Sequence, residues 1–175
     1  MTTPIERPPG DLQPEGREAG AGGPRASGRR RSVARLAAVQ ALYQLELNRE
    51  VDPDLVVREF ARHRLGHDID GDRYGEADPA LFSDIVRGVA ADLDRLDATV
   101  SDVLTEEWPL PRFDAVLRAI LRAGAYELVH RRDVPPRVSI NEYTTIAHAF
   151  FSGKEPGLAN GVLDKLGRKL RASEM

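Results

Sequence analysis

The sequence predicts an all-α protein, and three observations carry that expectation. Apolar residues recur at threes and fours in one segment after another. No stretch competes with the period-two alternation of a half-buried strand. Proline-led boundaries such as Asp52-Pro53, Asp78-Pro79 and Pro135-Pro136 punctuate the segments. With 175 residues, 41% of them hydrophobic and 30% charged, the chain is long enough for one domain around a buried core.

Residues 1–28 hold Pro4, Pro8, Pro9, Pro14 and Pro24 and six glycines, with hardly an aliphatic side chain to bury. Such a segment cannot offset its own ordering entropy, so a disordered tail is expected there, followed by one globular domain over 29–175. From Ser32, a candidate N-cap, Val33, Leu36, Val39, Leu42, Tyr43, Leu45 and Leu47 follow at helical spacing, with Gln40, Gln44 and Asn48 on a polar stripe. Asp52-Pro53 opens a shorter helix with Leu55, Val56 and Phe60, and the polar stretch 66–77 reads as a loop. Asp78-Pro79 starts the run from Phe82 to Leu104, which the spacing divides into two helices broken near Asp94 to Asp97.

Trp108-Pro109-Leu110-Pro111 ends that run, because a residue before proline is pushed out of the helical region. A helix over about 113–131 buries Phe113, Leu117, Ile120, Leu121, Gly124 and Leu128. Ser139 and Glu142 have capping-box spacing at the head of a helix carrying Ile140, Ile146, Ala147 and Phe150. The last helix, about 157–171, turns Leu158, Val162, Leu163, Leu166 and Leu170 inward and ends on Lys165, Arg168, Lys169 and Arg171, where cations suit the helix dipole. Within it, Asn160-Gly161 reads as a close-packing position. About seven helices result.

Several functions are excluded. Without cysteine there is no thiol nucleophile, disulfide or thiolate metal site. No G-x-S-x-G elbow and no phosphate-cradling loop with Lys-Ser/Thr is present, so neither an enzyme nor a bound cofactor is expected. His63 and His67 lie four apart with Asp68, Asp70 and Asp72 behind them, but no third ligand follows at fixed spacing. As a calcium loop the acidic run fails, because Arg73 stands where the glycine belongs and Pro79 where the bidentate glutamate belongs. No metal site is therefore expected. No secretory core or spanning apolar run is visible, which makes the cytoplasm the expected location.

What stands out is charge placement. Although the formal net charge is -3, Arg25, Arg29, Arg30, Arg31 and Arg35 crowd the entrance to the first helix, where the dipole disfavours cations. An arginine-rich arm of this kind can fork onto phosphates or stack on unpaired bases, and Tyr43 further along could stack a base or belong to the core. A solubilising flank on a protein-docking adaptor is the bland alternative.

Four stretches in order, "RRRSVARLAAVQALYQLELN", the LR-x-x-x-YEL helix from Leu121 to Leu128, VP-x-x-V-x-INE from Val134 to Glu142, and NGVLDKL from Asn160 to Leu166, resemble the NusB family of bacterial transcription antitermination factors over about residues 29–171. The resemblance implies a compact helical fold of two small bundles. It also implies binding of the boxA element of ribosomal RNA leader transcripts, together with the small-subunit ribosomal protein NusE, within an antitermination complex on RNA polymerase. Carried onto this sequence, the RNA-binding positions are Arg29, Arg30, Arg31, Arg35 and Tyr43. Phe150, Lys154 and Leu158 border the partner surface, where Lys154 replaces an acidic residue of some members and Leu158 an aromatic. An apolar helix face could pack within the monomer or across a homodimer interface; the sequence leaves both open.

Overall fold

The computed structural model describes residues 23–65, 68–69, 72–73 and 77–175. Seven α-helices are present among them: α1 Pro24–Leu47, α2 Pro53–His63, α3 Pro79–Ala91, α4 Leu93–Ser101, α5 Ala115–His130, α6 Pro136–Phe150 and α7 Glu155–Leu170. Short 3-10 turns occupy Leu110–Arg112 and Ala172–Glu174. Within the stretch expected to be a loop, β1 (Asp68–Ile69) pairs antiparallel with β2 (Asp72–Arg73). This two-residue ladder does not alter the helical class.

Most helix starts follow local chemistry. Asp52 accepts from the Asp54 amide at 2.9 Å, Asp78 from Ala80 and Leu81 at 3.0 and 3.1 Å, and Asp114 from Val116 at 2.8 Å. Each satisfies amides that the first helical turn leaves without partners. Three expectations need correction. Helix α1 starts at Pro24, with Gly23 as its cap, not at Ser32; the Ser32 hydroxyl lies inside the helix and donates back to the Gly28 carbonyl at 3.1 Å. Ser139 and Glu142 form no capping box, because α6 already begins at Pro136; Ser139 is buried and Glu142 turns to Arg35 at 3.6 Å. The break between α3 and α4 falls at Asp92, slightly upstream of the acidic stretch expected to hold it.

Helix α5 is the axis of the fold. It packs against α1, α3 and α4 on one side and against α6 and α7 on the other, which matches two small helical groups sharing one continuous core. Every residue from Ala119 to Leu128 is buried. Close approach is bought by glycine at two points. A Cβ on Gly88 would stand 2.2 Å from the Tyr126 ring, and one on Gly124 would stand 2.7 Å from Leu163. Gly161, by contrast, has nothing within 4 Å of its Cβ position, so the Asn160-Gly161 pair is not the tight contact its sequence suggests. Phe60 and Phe82 stack at 5.4 Å and join α2 to α3.

Candidate nucleic-acid interface

The arginine cluster divides in two. Arg25, Arg29 and Arg30 lie on the first turns of α1, exposed, and none of them forms an ion pair among the described residues. Arg31 is half-buried and reaches the Asp133 carboxylate in the α5–α6 turn at 3.8 Å. The Arg30 carbonyl accepts the Asp78 amide at 3.0 Å, fixing the helix start to the entrance of α3. Because α1 begins upstream of the arginines, they project from a formed helix, and no acidic residue shares its first turn.

Arg35 belongs elsewhere. Sequence reading groups it with the RNA-contacting arginines, but it is only 2% exposed and forks onto Glu127 of α5, Nε to Oε2 at 2.8 Å and Nη2 to Oε1 at 2.9 Å. Burial alone would lower the guanidinium's pKa; the hydrogen bonds and charge of Glu127 outweigh it and hold Arg35 above its ordinary value. Burial pushes the fully enclosed Tyr143 hydroxyl well up, and the Glu127 charge adds to it against the opposing charge of Arg35. Four residues before Arg35, Arg31 sits on the same helix face one turn closer to the end, so exposure along α1 changes within a single turn.

Tyr43 is half-buried. At 100° per residue it falls about 40° from Arg29 around α1 and about 21 Å further along the axis. It therefore continues the face that carries Arg29, and neither full burial nor free exposure describes it.

The second group of sequence-predicted residues meets a groove. Lys154 and Leu158 line an open depression of about 500 Å³ with Trp108, Arg112, Phe113 and Leu117. Phe150, at the end of α6, is 40% exposed and does not line it. Sequence reading uses Trp108 only as a helix stop; the structure leaves it 59% exposed, the only tryptophan of the chain and a large apolar surface open to solvent. A lone Trp followed by two prolines, held where no helix can hide it, was the available signal.

Other arginines of the sequence motifs are internal ties. Arg122 of the LR-x-x-x-YEL segment binds Asp97 at 2.6 and 2.8 Å and also Glu46, while Arg118 reaches Glu46 at 2.8 Å, joining α1, α4 and α5. Burial would raise the Glu46 pKa, but the Arg118 hydrogen bond and the Arg122 charge outweigh it and hold the carboxyl below its usual range. His67, half of the candidate histidine pair, lies outside the described residues. Among the described residues no three His, Cys, Asp or Glu side chains gather as metal ligands, and no helix is long and apolar enough to cross a membrane.

A sequence model described as the NusB family matches residues 32–168. The transcription antitermination protein NusB of Nitrobacter hamburgensis is 52% identical over 145 residues, which cover 83% of this chain and 90% of that protein. Its counterpart in Bradyrhizobium diazoefficiens is 49% identical over 145 residues, covering 83% and 87%. Among solved structures, T. maritima NusB superposes with a TM-score of 0.67 at 28% identity, over 82% of this chain and 94% of that one. A crystal structure of the antitermination factors NusB and NusE with double-stranded RNA superposes at 0.66 and 19% identity, over 81% and 98%, and shares the fold.

Proposed function

The chain belongs to the NusB family of transcription antitermination factors, a family without enzymatic activity, and from that premise we propose that it binds the boxA element of ribosomal RNA leader transcripts through the start of α1. The observation that carries this reading is the set of exposed arginines, Arg25, Arg29 and Arg30, that have no ion-pair partner among the described residues. Such guanidiniums keep their full capacity for bidentate contacts to phosphate oxygens. Arg31 joins them, and Tyr43 offers a ring to a base further along the same face. Arg35 is left out, since its guanidinium is already committed to Glu127.

NusE is the proposed protein partner, seated on the groove of Trp108, Lys154 and Leu158, with the exposed Phe150 as a further contact outside it. Large aromatic anchors in partly enclosed depressions are where binding energy concentrates. A solved complex of the same fold that holds NusE and RNA supports the pairing. The complete assembly acts on RNA polymerase in the cytoplasm, where transcripts are made. The test is fluorescence anisotropy of a labelled boxA RNA and a scrambled control, each with and without NusE. Preference for boxA that strengthens with NusE supports the reading; equal weak binding to both RNAs overturns it.

A further inference from the structure

One carboxylate is shared by two guanidiniums at the root of the arm. Asp133 lies in the turn between α5 and α6, with its side chain 58% exposed. Its Oδ2 accepts from Arg131 Nη2 at 2.9 Å and faces Arg31 Nη2 of α1 at 3.8 Å. Arg131 also donates to Asp84 at 3.1 Å, which fixes its other side, and its Nε is buried with no acceptor. The turn itself is rigid: the buried Arg171 guanidinium donates to the Val134 carbonyl at 2.8 Å from the end of α7. Two arginines from different elements thus converge on one carboxylate oxygen, as two guanidiniums can converge on one phosphate oxygen.

We propose that Asp133 is an internal competitor of the arm: it holds Arg31 until the phosphodiester backbone of a single-stranded RNA displaces it, and Arg131 then joins Arg31 in contacting the phosphate. The inference rests on the reading of α1 as an RNA-binding element. Its physical basis is the weakness of an exposed ion pair, which an RNA strand, a polyanion with one phosphodiester charge per nucleotide, can replace at little cost. The competitor lowers the affinity of every RNA that uses the Arg31 phosphate contact by the worth of one exposed ion pair and leaves base recognition untouched.

The test is a double-mutant cycle on RNA affinity at low salt. Asp133→Asn keeps the shape and removes the charge. It should tighten binding about two- to five-fold, the range of an exposed pair, by a similar factor for scrambled and boxA RNA. In an Arg31→Ala background the gain should fall below half of that, because the cation it frees is gone. A general change in net charge would give the same gain in both backgrounds and would overturn the proposal, as would unchanged or weaker binding by Asp133→Asn. Circular dichroism of each variant checks that the exposed substitutions leave the helices formed. A wild-type protein that binds no RNA would sink the RNA reading and this inference with it, whereas wild-type binding without the Asp133→Asn gain would sink the inference alone.

Discussion

Replacing Arg35 by alanine separates the structural arginine from the binding ones. The substitution leaves Glu127, 0% exposed, without its counter-ion, and Glu142 cannot help because it carries the same charge. Breaking a buried pair by removing one partner costs about 3–5 kcal/mol, most of it the penalty of the stranded charge. For a domain of this size, each kcal/mol moves the melting temperature by about 2–4 °C, so Arg35→Ala should melt roughly 6–20 °C below wild type. Arg30→Ala, at an exposed position, should stay within about 0.5 kcal/mol. The pair Arg35→Met with Glu127→Leu removes both charges while keeping volume, and should recover much of the loss. Scanning calorimetry reads the stabilities, and RNA titration well below the transition reads function. Arg35→Ala with wild-type melting but lost RNA affinity would refute the assignment and return Arg35 to the interface.

Three further outcomes follow from the same structure. Gly88→Ala drives a methyl into the Tyr126 ring, and the overpacking should cost about 1–3 kcal/mol by denaturant unfolding. Tyr126 is pushed up to about 12, first by burial and then by its hydrogen bond to Asp84, so the native state holds that proton more tightly than the unfolded chain does. Its contribution to stability is complete below pH 10 and declines as pH climbs toward 12; ultraviolet titration should show two late phenols, Tyr126 and Tyr143, of which Tyr126→Phe removes one. Trp108→Ala should leave the melting temperature within about 1 °C of wild type while weakening NusE binding by at least about 2 kcal/mol, near thirty-fold, in calorimetric titration.

The helices were legible because period and punctuation agreed: Asp-Pro pairs at Asp52 and Asp78 mark starts that the structure reproduces with cap hydrogen bonds. The start of α1 was hidden for the opposite reason. Pro24, Ala26 and Gly28 lie in a glycine- and proline-rich stretch, and composition there outvoted the tolerance of proline at a first helical position. Ser139 misled because a capping-box spacing does not reveal that the preceding Pro136 has already begun the helix. At the site, the run from Arg29 to Arg31 declared itself by being electrostatically out of place. Arg35 carries the same charge and shares the stripe, and only the position of Glu127, 92 residues away, shows that it is spoken for. Trp108 became visible only when α7 placed Lys154 and Leu158 beside it.

Arg29, Arg30 and Arg31 meeting a phosphate backbone is the central interaction, and the salt dependence of boxA affinity in wild type and in the triple Arg29→Ala, Arg30→Ala, Arg31→Ala variant tests it most directly. A single strand contributes about -0.7 to the logarithmic salt slope for each phosphate neutralised, so wild type should fall near -3 and the variant about two shallower. At roughly 1 kcal/mol for each charge-assisted contact, the affinity should drop on the order of a hundredfold at low salt. Equal slopes and equal affinities in the two proteins would contradict the claim that the start of α1 is the RNA-binding surface.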